Sequence, residues 1–263
     1  MRPDIHEVVE SFDRRAPGYA RSQWHRRSAE RLVALSTLQL GDRVLDAGTG
    51  TGFAALAAAR AVGSAGHVLG VDISPGMLQQ ARAAVAESGL TNIHLLQADA
   101  SDLPQYPAGS FDAVTCATGL LYMPFRRALR EWSRLLRQGG VVAFSNMRAG
   151  SPRAAAIFRE CAASFGIVLQ DPTAPLGFPA ACQDALETAG FSVETIVGEP
   201  IGFSPDDLRL AWESNFGSVA YARVRSLGEP EQRAMKAAFL AALEREPEAS
   251  LARAEMLYAV GRR

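Results

Sequence analysis

The chain passes from an apolar, β-rich triplet, Val44-Leu45-Asp46, through Ala47-Gly48-Thr49-Gly50-Thr51-Gly52 into an alanine-rich stretch from 53 to 62. Three glycines at alternate positions between a strand-like run and a helix-like run constrain this chain more than any other feature. Glycine permits positive φ in a tight turn and removes the Cβ that would hold a ligand away from the backbone, while the helix behind it offers unpaired N–H groups. A plain strand-to-helix turn needs one glycine, so three point to a ligand site at the carboxyl end of a strand.

The same alternation continues on either side. Residues 67–71, 93–97, 111–117 and 141–145 read as strands, the last preceded by the turn Gln138-Gly139-Gly140, and 75–87 and 124–136 read as helices. Ser74 is a good N-cap with Pro75 at the first helical position. Ser151-Pro152 predicts a second such pair opening a helix to about 164, followed by a helix to 188, a strand at 191–197, a helical stretch and a last strand at 256–260. Met235, Ala238, Phe239, Ala242 and Leu243 have the spacing of a helix with one buried face. The expected class is α/β, a seven-stranded, mostly parallel Rossmann-like sandwich. Residues 1–40 are expected to form a helical lid, 41–203 the ligand-binding core, 204–250 a helical cap insertion and 251–263 the last core strand.

Composition narrows the partners. Hydrophobic residues make up 48% and charged ones 21% of 263 residues, which allows one domain with appended pieces and excludes disorder and disulfide scaffolds. With 27 basic and 28 acidic residues the formal net charge is −1, so no global field draws nucleic acid or an anionic membrane, and neither is expected as a partner. Cys116, Cys161 and Cys182 stand in no CxxC or Cys/His pattern, which implies a reducing compartment and no metal site. No apolar signal core or membrane-length run is present, so a cytoplasmic location is expected.

A nicotinamide or flavin dinucleotide site is the nearest competitor, but its G-x-G-x-x-G would require glycine where Phe53 stands. Asp46 would repel a pyrophosphate and attract the α-ammonium of an amino-acid ligand. D-x-G-x-G-x-G here resembles motif I of the class I S-adenosylmethionine-dependent methyltransferases. The resemblance extends through Val68-Leu69-Gly70-Val71-Asp72-Ile73-Ser74, Leu96-Gln97-Ala98-Asp99-Ala100, Phe111-Asp112-Ala113-Val114 and Leu135-Leu136-Arg137-Gln138-Gly139-Gly140-Val141. It implies S-adenosylmethionine as cofactor, cradled at Asp46, Ala47, Gly48, Gly50 and Gly52. In this family the acid at the Asp72 position grips both ribose hydroxyls, for which a carboxylate's two acceptor oxygens are suited. Asp99 and the Ala100 N–H would meet the adenine, with Ile73, Met77 and Ala117 also at cofactor-binding positions.

Phe12-Asp13-x-x-Ala16-x-x-Tyr19 is similar to the opening of the ubiquinone and menaquinone biosynthesis C-methyltransferases and their small-molecule relatives. That likeness implies a lid in which Tyr19 helps hold the methionine end of the cofactor; packing onto the core is the other role open to this face. After the fourth strand, Ala117-Thr118-Gly119-Leu120-Leu121-Tyr122 departs from the Asp/Asn-Pro-Pro-Tyr/Phe that holds a planar amine, which speaks against nucleobase or glutamine N-methylation. The expected activity is O- or C-methylation of a small-molecule acceptor, in secondary metabolism or quinone-like biosynthesis. A sulfonium already activates its methyl group, so alignment and exclusion of water carry the reaction. His25 is the candidate general base, a solvent-facing lid histidine being its other reading. The alternative function is a methyltransferase-fold protein that binds the cofactor but catalyses a non-methylating reaction or acts as a scaffold.

Overall fold

A computed structural model describes residues 4–263. Two helices, α1 (Ile5–Tyr19) and α2 (Gln23–Leu35), precede the alternating region β1 (Arg43–Ala47), α3 (Phe53–Val62), β2 (His67–Asp72), α4 (Pro75–Ser88), β3 (Ile93–Gln97), β4 (Phe111–Ala117), α5 (Phe125–Leu135) and β5 (Leu136–Met147). Then come α6 (Arg153–Ser164), α7 (Pro179–Thr188), β6 (Ser192–Gly202), the short helices α8 (Pro205–Arg209) and α9 (Ala211–Phe216), the long α10 (Glu229–Arg245), α11 (Glu248–Leu251) and β7 (Arg253–Arg262). The seven strands form one sheet in the order β3-β2-β1-β4-β5-β7-β6. Pairing is parallel from β3 to β5 and antiparallel on both sides of β7.

Side-chain alternation along the strands feeds two cores. Leu45, Val71, Val114 and Phe144 pack with Leu129 and Trp132 of α5 and Leu186 of α7. Val44, Val68, Ala113 and Ala143 pack on the opposite face with Ala55 and Ala59 of α3 and with Ala29, Leu32 and Val33 of α2. A third cluster lies off the sheet, where Phe158 of α6 meets Trp212, Tyr221, Met235 and Phe239. Of the helix face read from the spacing, Met235 and Phe239 are fully buried, Ala242 and Leu243 lie at the margin of that cluster, and Ala238 is exposed.

Two packing boundaries differ from those the sequence suggests. Within residues 1–40, α1 lies across α4, whereas α2 contributes to the second sheet core and is tied to β6 by Arg31, whose guanidinium meets Glu199 at 2.6 to 3.1 Å. Within 204–250, the helices share their core with α6 from before the sixth strand. The turn at Gln138-Gly139-Gly140 is part of β5, because Gly139 and Gly140 exchange backbone hydrogen bonds with Arg263 at 2.9 Å. Ser151 does not cap α6, which begins after Pro152 without a side-chain cap. Ser74 caps α4 as expected, accepting from the Met77 N–H at 3.0 Å. Among the described residues no helix is long and apolar enough to cross a membrane.

Candidate functional site

β1 and β4 are neighbours in the sheet, but the helices that follow them, α3 and α5, pack on opposite faces. A crevice therefore opens at the carboxyl ends of these strands, the place where open α/β sheets bind ligands. A cavity of about 330 Å3 fills it, within the range of small-molecule sites. Gly48, with φ +67°, passes close beneath Met123; a Cβ there would stand 3.0 Å from the Met123 methyl carbon. Gly52, with φ +90°, caps α3 in the left-handed conformation that favours glycine, and lies against Ala81 of α4.

The acids at the strand ends are fixed by different partners. Asp46 is buried and accepts hydrogen bonds from Thr49 Oγ1 at 2.6 Å and Thr115 Oγ1 at 2.8 Å. Burial outweighs those bonds and pushes its carboxyl up to about 6. Asp72 receives the Gly50 N–H on one oxygen at 2.8 Å and the Ser74 N–H on the other at 2.9 Å. Burial also raises Asp72, against these backbone bonds. Asp99 accepts the Ser101 N–H at 2.8 Å, and the Trp132 indole donates to the Ala100 carbonyl at 2.8 Å, which fixes the backbone at this corner.

Of the positions implied by resemblance, Tyr19, Asp46, Gly48, Gly50, Asp72, Ile73, Met77, Asp99, Ala100 and Ala117 line this cavity. Ala47 and Gly52 do not line it: Ala47 is packed into the first sheet core, and Gly52 acts at the α3–α4 contact. The lining suits a zwitterionic amino-acid nucleoside such as S-adenosylmethionine. Asp72 keeps acceptor capacity on both oxygens for a diol, Asp46 can meet an ammonium, and the buried Thr51 Oγ1 has no hydrogen-bond partner of its own.

A second cavity, of about 380 Å3, lies beyond the first, between α1, α2, α6 and α9. The two share Tyr19, His25, Thr118, Leu121 and Tyr122, which form a collar between them. An aromatic chain crosses this collar. Tyr122 meets Phe12 edge-on at 4.8 Å, Phe12 meets Tyr19 at 6.2 Å, the Tyr19 and His25 rings stand 3.9 Å apart, and His25 stacks on Trp24 at 3.5 Å. His25 is bonded through Nδ1 to Ser22 Oγ at 2.7 Å. Burial, assisted by the neighbouring Arg15 charge, holds its pKa well below the ordinary histidine value, so the ring is neutral at pH 7. Burial raises the Tyr19 phenol, which stays protonated.

Several site residues escaped the sequence reading. Asp13 accepts from Ser74 Oγ at 2.6 Å and from the Gly76 N–H at 2.8 Å, pinning α1 to the first turn of α4. Its place in the Phe12-Asp13 motif was the available signal. Thr115, an apparently ordinary strand residue, holds Asp46. Thr118 has φ +56°, costly for a β-branched residue, and lies on the collar.

Known proteins resemble this chain in sequence and in fold. Residues 44–140 match the family model described as a methyltransferase domain. The chain is 39% identical over 150 residues to the aklanonic acid methyltransferase of Streptomyces sp. strain C5, covering 55% of this chain and 68% of that protein. It is 32% identical over 255 residues to the nocamycin O-methyltransferase of Saccharothrix syringae, covering 87% and 88%. With the demethylmenaquinone methyltransferase of Listeria monocytogenes it shares 35% over 146 residues, 53% of this chain and 60% of that one. Among solved structures, a putative methyltransferase from Bacillus halodurans superposes with TM-score 0.62 at 19% identity, over 90% of this chain and 98% of that one.

Proposed function

The chain belongs to the class I S-adenosylmethionine-dependent methyltransferases and methylates a small-molecule acceptor, and from that premise we propose that the first cavity seats the cofactor, the second seats the acceptor, and transfer takes place at the collar between them. The observation that carries this reading is the collar itself: five residues are common to a cavity lined by the glycine-rich turn and a cavity lined by the flanking helices.

The cofactor supplies a methyl group already activated on a sulfonium, so the protein's work is alignment and exclusion of water. Asp72 accepts the ribose hydroxyls through lone pairs that Gly50 and Ser74 leave free, and Asp46 meets the α-ammonium. Asp99 and the Ala100 N–H take the adenine edge, with Ile73, Met77 and Ala117 against the apolar surfaces and Tyr19 over the methionine end. The backbone at Gly48 and Gly50 allows close approach; Ala47 and Gly52 support that turn from behind.

At the collar, His25 accepts the acceptor's proton at Nε2 when Nδ1–H is donated to Ser22 Oγ. Its depressed basicity restricts it to acidic groups such as phenols or activated carbons. Within the expected lid at 1–40, α1 serves as the closing element and α2 anchors it on the sheet core, while 204–250, packed with α6, serves as the acceptor cap on the core at 41–203 and 251–263. One relative is an O-methyltransferase and another acts on demethylmenaquinone, which supports an oxygen or carbon nucleophile in secondary metabolism or quinone-like biosynthesis. Incubation with methyl-labelled S-adenosylmethionine and pools of phenols, carboxylic acids and quinol precursors, read by mass spectrometry, is expected to give a product heavier by one methyl group. Cofactor binding with no acceptor converted would favour the non-methylating or scaffold alternative.

A further inference from the structure

We infer that Arg15 makes the second cavity a receptor for an acceptor bearing a carboxylate, which the guanidinium grips from the lid while the apolar walls hold the rest of the molecule. This deepens the function proposed above and rests on it.

The other charged side chains that line this cavity each have a partner. Arg159 donates to Asp171 at 3.2 Å and to the Tyr221 hydroxyl at 2.9 Å. Arg14 faces Glu10 at 3.8 Å, and Glu213 receives Lys236 Nζ at 3.1 Å. Asp207 accepts from the Ser204 N–H and hydroxyl at 2.8 and 2.7 Å, closing the cap of its own helix. Among these side chains only Arg15 has a buried polar atom left without a partner. It takes part in no ion pair among the described residues, and its Nη1 is buried without a hydrogen-bond partner. Its guanidinium rests 5.5 Å from the Phe12 ring centroid and 5.2 Å from that of Tyr19, so aromatic faces hold the cation in place without neutralising it.

An arginine does not shed its proton when buried, so the charge and the unused donor both call for an anion. The planar fork matches a carboxylate through two parallel hydrogen bonds. A single unneutralised guanidinium, with the Asp207 carboxylate on the same cavity, suits a monoanion and disfavours the dianion of a phosphate monoester. Trp24, Leu121, Met147, Phe203 and Leu208 supply the walls for an apolar body. The cofactor's own carboxylate is the other source of this chemistry, but Arg15 lines the second cavity and does not line the first.

The test uses naphthalene-2-carboxylate and naphthalene-2-carboxamide, alike in shape and different in charge, titrated calorimetrically into the full chain saturated with S-adenosylhomocysteine. The acid is expected to bind at least tenfold tighter than the amide. Arg15→Gln should abolish that preference by weakening the acid at least tenfold, with the Kd for S-adenosylhomocysteine unchanged within threefold, and Arg15→Lys should retain part of it. A purely structural role for Arg15 would leave the acid-to-amide ratio of the folded variant unmoved and would overturn the inference. Equal binding of acid and amide by the native chain, or binding of neither, would also overturn it. So would an Arg15→Gln variant that loses S-adenosylhomocysteine affinity and keeps the acid preference, since the guanidinium would then serve the cofactor's carboxylate. Failure of the native chain to bind S-adenosylhomocysteine would instead overturn the proposed function on which the inference stands.

Discussion

The first cavity takes its polar lining chiefly from strand ends and the turns that follow them, at 46–51, 72–73, 98–100 and 117–119, whereas the second gathers residues from 14 to 251 on α1, α2, α6, α9 and their connections. In the first, the functional acids are fixed by residues two or three along the chain and by the neighbouring strand and turn, as Asp46 is by Thr49 and Thr115 and Asp72 by Ser74 and Gly50. In the second, the fixing contacts are between side chains distant in sequence, as Arg159 is held by Tyr221 and Asp171. A cavity built from strand ends keeps its chemistry as long as the sheet keeps its order. A cavity built from packed helices can change its occupant through a few substitutions, which is a physical basis for one family serving many acceptors.

The largest expected effect falls where the two regions meet. His25→Asn should lower kcat by about 100-fold, the lower end for removal of a general base, and leave the Kd for S-adenosylhomocysteine within threefold. Unchanged turnover, measured by single-turnover mass spectrometry, would show that the collar aligns without proton transfer. Next is Asp72→Ala, which touches only the first region. It should weaken S-adenosylhomocysteine by about 2–3 kcal/mol, the scale of hydrogen bonds to a charged group, and calorimetry showing native affinity would remove Asp72 from the cofactor site.

A smaller effect is set by pH. Asp46 titrates at about 6 in the free protein, and a cofactor ammonium favours its ionised form. Binding should therefore be strongest above pH 6 and weaken as pH falls below it, by at most about tenfold per unit. Asp46→Asn should bind more weakly at pH 8 and flatten this profile; a native profile flat from pH 5 to 8 would count against the contact. The smallest effect concerns the tie between the regions. Asp13→Ala removes two bonds at the start of α4, and a loss of about 1 kcal/mol of folding stability is expected, as for a lost helix cap. Faster hydrogen exchange confined to α1 would show that Asp13 holds the lid, and exchange unchanged there would sink that role.

Much of the first region was legible because its signals are local. The helix at 53–62 and the strands at 93–97 and 111–117 have the bounds read from the sequence, since glycine punctuation and apolar periodicity act within a few residues. β5 and β7 run longer than their apolar cores predicted: pairing with each other carries β5 to Met147 and β7 to Arg262, while β4 pairs with the start of β5 at Leu136 and β6 with the start of β7 at Arg253. Ala47 and Gly52 fall inside the motif yet face the core and a helix contact, because backbone geometry within the turn, not membership of the motif, decides which residue meets the cavity.

By itself, then, the sequence determined the strand–helix alternation and the glycine-rich turn, which follow from φ preferences and periodicity along one stretch of chain, and its resemblance to a known family marked the acids at the strand ends. The tertiary structure alone decided that Asp13 reaches α4, that Thr115 braces Asp46, that α6 joins the later helices in one core, and that the Arg15 Nη1 is buried without a hydrogen-bond partner. The physical reason is the range of the forces that set them. Turn and strand preferences are fixed by each residue's own backbone and near neighbours, whereas burial and charge pairing depend on which distant segments pack together, and that is known only once the chain has folded.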